Sequence, residues 1–565
     1  MIEPHGSSRS LPALLLAALS CAASCGDREQ GPVLFVDATE EAGLRFVHCN
    51  GKSEDLFLIE SIPAGAIFFD PDLDGDPDLY LLNGAYVAAP PPDPAPLDAL
   101  YRNDGRGRFS AATEGTGLGD PRFSIGVSGA DYDNDGDPDL YVTNFEDQNA
   151  LYRNDGGLRF TDVAHAAGVE GTAAFDAPSA FADLDNDGFL DLYVGNYNDH
   201  SRAHNIPCKM KRRDGQGIER RYCPVERYNP IDDVLYRSRG DGTFEDKSAE
   251  SGIAGHPGRS FGIACADYDD DGDQDIFVAC DNTPNLYFEN QGGFHFQEIA
   301  TEAGVGVDKD GDARGGMGIA TGDLDGDGRL DAAITNFTDE VNGFYRNRGK
   351  NLFSAWEDSN GTAAPSRPFI GWGIEFFDAD LDADLDCLLV NGHFIDNEHL
   401  FREALAGYEQ PNLFYLNDGH GMFEELGERA GPALGILRVS RGLATADIDG
   451  DGDLDALVSN LHARPDLLRN DSPRAGQHWL LVRTIGRKSN RNGIGARLIA
   501  HLRDRDLVRE VHSGQTCFSQ SDMRVHFGLG RASLVPDLEV RWPSGATSRL
   551  TDVAADQVLE IVEPN

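Results

Sequence analysis

Seven short stretches place aspartates at alternate positions: "DPDLDGDPD" from Asp70, "DYDNDGDPD" from Asp131, "DLDNDGFLD" from Asp183, "DYDDDGDQD" from Asp267, "DLDGDGRLD" from Asp323, "DADLDADLD" from Asp378 and "DIDGDGDLD" from Asp447. The carboxylates at positions 1, 3, 5 and 9 of such a loop converge. They are Asp70, Asp72, Asp74 and Asp78; Asp131, Asp133, Asp135 and Asp139; Asp183, Asp185, Asp187 and Asp191; Asp267, Asp269, Asp271 and Asp275; Asp323, Asp325, Asp327 and Asp331; Asp378, Asp380, Asp382 and Asp386; Asp447, Asp449, Asp451 and Asp455. The backbone carbonyl at position 7 adds a ligand, from Asp76, Asp137, Phe189, Asp273, Arg329, Asp384 and Asp453. Four carboxylates this close repel one another unless a cation lies between them. A hard, oxygen-seeking ion tolerant of irregular coordination suits the set, so up to seven Ca2+ are expected.

The same spacing opens an EF-hand, which needs a bidentate glutamate at position 12 and a helix after it. Position 12 here is Leu81, Val142, Val194, Val278, Ile334, Leu389 and Val458, and none of these side chains binds a hard cation. The residues that follow are β-branched or aromatic in short runs, which favours strands. Six loops have glycine at position 6, where a left-handed turn is easiest, and the sixth has Ala383. That loop is the weakest of the seven.

Two further markers keep step with the loops. One is a short strand-like segment, as in "LYRN" (100–103 and 151–154), "LYRS" (235–238) and "FYRN" (344–347). The other runs from a phenylalanine to a glycine, as in "FTDVAHAAGV" (160–169) and "FQEIATEAGV" (296–305). Turn sequences such as "NDGRG" join them, a hairpin signal. Each unit therefore reads as four strands: an apolar strand A, the aspartate loop, strand B, strand C ("LYRN") and strand D. Four-stranded units repeated around an axis are propeller blades, and the fold class is all-β, a seven-bladed β-propeller. The array opens with a D-type segment at Phe35 and stops with a C-type segment at Asn470, so Phe35 is expected to complete the seventh blade.

The chain has 565 residues, 40% of them hydrophobic, with 96 Asp+Glu against 48 Lys+Arg, a formal charge of −48. That balance argues against nucleic acid as a partner. Residues 1–25 read as a signal peptide: "LPALLLAAL" is too short to span a bilayer, and the small residues and cysteines after it are lipobox-like. Cys21 and Cys25 are both candidates for lipidation, and an ordinary cleaved signal is the alternative. No other stretch is apolar enough to span a membrane. The expected location is exported: periplasmic, outer-membrane-anchored or extracellular as a lipoprotein.

The loop spacing and the "LYRN…G…F.D" context resemble the FG-GAP/VCBS family of integrin-α-type β-propellers, over residues 33–471. The resemblance implies calcium loops on a bottom face, with B–C and D–A connections forming a top face that meets partners. The longest excursions, 84–98, 197–233 and 392–412, fall between strands B and C and would crowd that top face. The second holds "CKMKRRDGQGIERRYC", a basic island whose Cys208 and Cys223 would close a disulfide in an oxidising compartment, worth about 3 kcal/mol in the loop-entropy model. Tyr197 and His393 are candidate ligand-binding residues on this rim; His393 with His399 reads either as a metal pair or as ordinary hydrogen-bonded histidines. Asparagines at position 14 (Asn83, Asn144, Asn196, Asn336, Asn391, Asn460) read as turn residues more readily than as ligand contacts. Cys265 and Cys280 are not expected to pair, since a symmetric hairpin puts Cys280 opposite a residue near 262, about 10 Å from Cys265 along the strand.

After residue 471 the repeat stops. "SNRNGIGAR", "HFGLG" and "VRWPSG" resemble the ASPIC/UnbV domain, over residues 476–562. The combination resembles the cartilage acidic protein family, in its bacterial exported branch; no EGF-like cysteine-rich tail is present in this sequence. Neither a G-x-S-x-G elbow, a P-loop nor an H-E-x-x-H helix occurs, and no catalytic residue is assigned. The reading is an exported calcium-binding scaffold mediating adhesion or protein/glycan binding through its top face, and an enzyme is the less favoured class. The alternative is a polysaccharide-acting enzyme with catalytic loops on the propeller; an assembly factor bound through the C-terminal domain is a third possibility.

Overall fold

The computed structural model describes residues 33–565 apart from 89, 173, 403, 404 and 475. Cys21, Cys25 and the apolar segment before them lie outside the described residues. Seven four-stranded antiparallel sheets follow the seven repeats, each in the order A, B, C, D. Their first strands are Ala66–Phe69, Ser124–Ala130, Asp176–Ala182, Ser260–Ala266, Ile319–Gly322, Gly371–Phe377 and Ser440–Ala446.

Burial explains the sequence pattern of each sheet. In the second, strand A (Ser124–Ala130) and strand B (Asp139–Asn144) are buried along their whole length. Both faces pack on neighbouring sheets, so these strands read as continuous small and apolar runs rather than alternating ones. Strand D (Phe160–Asp162) buries only its leading phenylalanine and exposes the other two residues. The outermost strand therefore leaves a weak signal, a single Phe followed by polar residues.

The seventh sheet closes the ring. Phe35–Asp37 pairs antiparallel with Asp466–Asn470, with Phe35 opposite Asn470, so the first strand of the array is the fourth strand of the last sheet. The inner strands pack neighbour on neighbour around a closed cycle, the last against the first. Closure pairs an edge that a linear array would leave open.

A second closure is made by side chains. The asparagine ending strand C donates its Nδ2 to the position-2 carbonyl of the preceding sheet's aspartate loop. Asn103 reaches Ile448 O (2.8 Å), Asn154 Pro71 O (2.9 Å), Asn290 Leu184 O (2.9 Å), Asn347 Tyr268 O (2.7 Å), Asn417 Leu324 O (2.9 Å) and Asn470 Ala379 O (2.8 Å). Each also donates to a carbonyl of its own loop, such as Leu385 O from Asn417 at 2.9 Å. Ser238 holds this place in the third sheet and is too short to reach across.

The C-terminal part forms a three-stranded sheet (Trp479–Ile485 between Val525–Gly528 and Gln557–Val562) and a four-stranded one (Asp506–Glu510, Arg497–His501, Leu534–Arg541, Thr547–Ala554). It packs on the face of the ring that carries the aspartate loops. Asn492 Oδ1 accepts from the Asp131 amide at 2.7 Å, Arg497 pairs with Asp270 at 2.6 Å, and Arg524 donates to Gly75 O at 3.0 Å.

From this module the segment 513–522 enters the centre of the ring. The Gln515 amide donates to Ile263 O at 3.2 Å, Thr516 exchanges backbone hydrogen bonds with Ile319, and Phe518 O accepts from Val127 N. Gln520 donates its amide to Ala66 O and grips Gly129 through its side chain at 2.9 and 3.1 Å. Ser521 Oγ donates to Glu375 at 2.7 Å and accepts from Thr445 N at 3.0 Å. With Ser513 Oγ at 3.5 Å from Phe181 N, the segment touches the inner strand of every sheet. The module thus both packs on the ring and threads one segment through it.

One register differs from expectation. Cys280 lies opposite Ser260 rather than a residue near 262, because a bulge follows Ser260. Cys265 pairs in register with Ile276, and both cysteines are buried free thiols.

Replacing Asn417 by Ala leaves Leu324 O and Leu385 O without this donor in the buried seam. A loss of about 2–3 kcal/mol is expected, against under about 1 kcal/mol for Ser238→Ala, read by urea unfolding.

Candidate metal loops and the top-face cavity

Each aspartate loop is held in shape by its own backbone. The position-6 amide donates to the first aspartate in all seven, from Gly75 to Asp70 at 3.1 Å through Gly452 to Asp447 at 3.1 Å. This requires left-handed backbone at position 6, with φ +95° at Gly75 and +105° at Gly136. Ala383 adopts the same conformation at φ +82°, which costs about 1–2 kcal/mol for a residue with a Cβ. The last aspartate accepts the backbone N–H of the residue ending strand C, Asn103 to Asp78 at 2.8 Å and likewise in the other six loops.

Carboxylate oxygens converge as the spacing predicts. In the first five loops three of them lie within 4.8 Å of one another: Asp70/72/74, Asp131/133/139, Asp183/185/187, Asp267/269/271 and Asp323/325/331. Several loop carboxylate oxygens are buried without a hydrogen-bond partner among the described residues, including Asp72 Oδ1, Asp78 Oδ2, Asp183 Oδ1 and Asp269 Oδ1. Burial, reinforced by neighbouring carboxylates, raises the Asp78 pKa to about 8 and those of Asp131 and Asp183 to about 7. In the sixth loop burial and then Asp382 and Asp380 hold Asp378 far above the usual carboxylate range. An orphaned, desolvated set of oxygens is the donor arrangement a divalent cation fits.

The arginine of "LYRN" is a participant the sequence reading missed. Arg102 sits 2.7 Å from Asp72 and 2.8 Å from Asp74, Arg237 pairs with Asp185, and Arg346 pairs with Asp325. Its recurrence one residue before the strand C asparagine is the signal that would have found it. These guanidiniums partly offset the loop charge from the outer side.

On the opposite face, the second and third excursions meet. Cys208 and Cys223 are joined by a disulfide, with Cα atoms 5.2 Å apart, across the base of a hairpin (Lys209–Lys211 with Ile218–Arg220). The Arg213 amide donates to Leu400 O at 2.8 Å, and Asn397 Nδ2 donates to Arg220 O at 2.9 Å. Together with inner-strand residues they wall a cavity of about 280 Å3, lined among others by Tyr197, Phe261, Phe337, Trp372, Phe394 and Glu398. Among the described residues the first excursion contributes no wall, and it runs beside Cys49 and Gly51.

Tyr197 is on that wall but buried, its hydroxyl donating to Asp281 at 2.6 Å and its ring 4.4 Å from that of Phe261. His393 is buried behind the wall. Its Nδ1 accepts from Ile395 N at 3.0 Å and its ring stacks on Phe394, which faces the cavity in its place. His399 is exposed, so the structure gives this pair no metal geometry. Position-14 asparagines close the B–C connection onto the carbonyl two residues before strand C: Asn144 donates to Gln148 O at 2.8 Å, Asn336 to Val341 O at 2.7 Å and Asn391, across a 20-residue separation, to Pro411 O at 2.9 Å.

Comparison with known proteins agrees with the repeat pattern. The FG-GAP-like repeat model matches residues 70–142, 131–194, 229–278 and 267–334, and the ASPIC and UnbV model matches 486–565. The sixth and seventh loops lie outside the matched repeats. Cartilage acidic protein 1 of Mus musculus is 26% identical over 470 residues, 78% of this chain and 65% of that protein. The Homo sapiens protein is 25% identical over 472 residues, 78% of this chain and 63% of its own length. The chain thus spans less than two thirds of the length of these curated relatives. Among solved structures, YCF48 bound to D1 peptide aligns with TM-score 0.40 at 7% identity, covering 79% of this chain and 96% of that one. An Agrocybe aegerita lectin described as recognising non-reducing terminal N-acetylglucosamine aligns with TM-score 0.39 at 17% identity, covering 71% and 86%. The chain carries FG-GAP-like repeats followed by a C-terminal ASPIC and UnbV domain, and it is homologous to cartilage acidic protein 1.

Proposed function

We propose that this protein is an exported, calcium-braced propeller scaffold that binds a protein or glycan partner through its top face. The observation that carries the calcium reading is the set of buried loop oxygens with no donor among the described residues: Asp72 Oδ1, Asp78 Oδ2, Asp183 Oδ1 and Asp269 Oδ1. Asp70, Asp72, Asp74 and Asp78, and their counterparts in the other six loops, would hold the ions, with position-7 carbonyls completing the shell. Up to seven Ca2+ would then act as parts of the fold.

Two features support the top face as the binding surface. The C-terminal module occupies the aspartate-loop face, and the second and third excursions enclose a cavity on the other. Export is supported by the Cys208–Cys223 disulfide and by the signal-like N-terminus, with Cys21 or Cys25 as the proposed lipid attachment point. Among the described residues no helix is long and apolar enough to cross a membrane. On this reading residues 33–471 are the propeller and 476–562 the C-terminal domain, and no catalytic residue is assigned.

The raised carboxylate pKa values fix the sign of a pH effect. Without metal, their stabilising contribution is complete below the unfolded value near 4 and is lost as pH rises through the folded values of about 6–8. In EDTA the melting temperature is therefore expected to fall from pH 5.5 to pH 8, and millimolar calcium is expected to raise it and flatten that slope. A melting temperature indifferent to calcium at pH 7.5 would sink the reading.

Ala383→Gly removes the left-handed strain at the cost of one buried methyl, and is expected to stabilise the metal-free protein by about 0.5–1 kcal/mol. For the partner, a glycan array run beside a pull-down with the exported protein should show capture that Tyr197→Ala abolishes. Capture unaffected by top-face substitutions would move the binding surface elsewhere.

A further inference from the structure

The cavity at the top mouth has a more specific chemistry than the face around it. Its walls are mainly apolar and aromatic: Phe261, Met317, Phe337, Ile370, Trp372 and Phe394. Against them lies the carboxylate of Glu398, whose side chain is 5% exposed. Its Oε1 pairs with Arg402. Its Oε2 has no hydrogen-bond partner among the described residues, and the nearest Arg221 nitrogen is 3.7 Å away. A buried acceptor beside apolar walls lacks the bond that would offset its desolvation.

The charge of Glu398 is nevertheless balanced, by two guanidiniums. An incoming cation would face Arg221 and Arg402, whereas an anion would face Glu226 and Asp281, which also line the cavity. Asp281 is already engaged, by the Tyr197 hydroxyl at 2.6 Å and Asn282 Nδ2 at 2.7 Å. What remains is one unmet acceptor in an apolar enclosure of about 280 Å3, at the small end of ligand sites.

We infer that this cavity binds a compact, neutral, largely apolar molecule bearing one hydroxyl or N–H, which donates to Glu398 Oε2. The aromatic walls hold the body of the ligand, and the donor sets its orientation. This narrows the ligand class of the top face proposed above, and it takes from that reading only that the mouth is the binding surface. The disulfide-closed hairpin enters as a wall: Met210 and Arg221 line the cavity from it and from the residues just after it.

Four naphthalene derivatives separate the terms by calorimetric titration of the intact protein. 2-Naphthol is expected to bind saturably at one site. Naphthalene, which lacks the donor, should bind about tenfold more weakly, the worth of one hydrogen bond. 2-Naphthoate and 2-naphthylmethylammonium should each bind at least tenfold more weakly than 2-naphthol. Glu398→Ala should bring 2-naphthol down to the affinity of naphthalene, and Phe337→Ala should weaken both neutral probes alike. Should Glu398→Ala fail to fold, the four-probe series on the unaltered chain decides by itself. Equal affinity for naphthol and naphthalene, tighter binding of either charged probe, or no binding of naphthol overturns the inference. Partner capture without naphthol binding overturns this inference alone, and naphthol binding without partner capture overturns only the macromolecular reading.

Discussion

The ring depends on one side-chain amide repeated around it. At the end of strand C an asparagine gives its backbone N–H to the last carboxylate of its own loop and its Nδ2 to the preceding sheet's loop. At Asn347 these bonds run to Asp331 at 2.8 Å and to Tyr268 O at 2.7 Å. Its Oδ1 accepts from Gly349 two residues on, at 2.7 Å. A single residue thereby fixes the loop, the C–D turn and the seam between sheets. Because it sits in six of the seven seams, it ties neighbouring aspartate loops together there, and Ser238 leaves the third sheet's seam without this latch. A cation bound in one loop would stiffen the carbonyl on which the next sheet latches.

The loops are costly to build without an ion. Converging carboxylates are buried, several oxygens have no donor, and burial raises the pKa of the last aspartate well above its usual value. Positive charge reaches them from two directions. Strand C arginines such as Arg102 approach from outside, and Arg497 and Arg524 of the C-terminal module approach from below. The module is also fitted to loop backbones that only glycine permits: a Cβ on Gly188 would meet Lys488 O at 2.2 Å, and one on Gly452 would meet the Trp479 ring at 1.9 Å. Gly188 and Gly452 therefore serve both the turn and the docking, whereas Gly75, Gly136, Gly272 and Gly328 serve the turn alone.

The central segment 513–522 changes how the two parts relate. Inner strands of a propeller present backbone groups to the axis, and here Gln515, Thr516, Phe518 and Gln520 satisfy them for several sheets at once. Phe518 rises far enough to pack against Phe261 at 5.0 Å, a residue that lines the top cavity. The C-terminal module thus supports the floor of the top cavity from beneath, through the axis of the ring.

The aspartate spacing, the "LYRN" marker and the leading phenylalanine were legible in the sequence because each recurs with a local cause. Alternation sets which carboxylates converge, glycine permits the loop's left-handed residue, and a lone Phe anchors an otherwise exposed strand. The closing strand at Phe35 was legible for the same reason, since a D-type segment had no C-type partner before it. Cys208 and Cys223 were legible from isolation within one excursion. What the sequence could not disclose involves residues far apart in the chain that share no local pattern. The cross-sheet reach of Asn103 to Ile448, the threading of 513–522 and the burial of Tyr197 against Asp281 all belong to this class. The same holds for the offset of Cys280, because a bulge leaves no mark on a hydrophobic run. Local chemistry thus set the loops and the strands, and only the closing of the ring decided which groups face one another across its seams and along its axis.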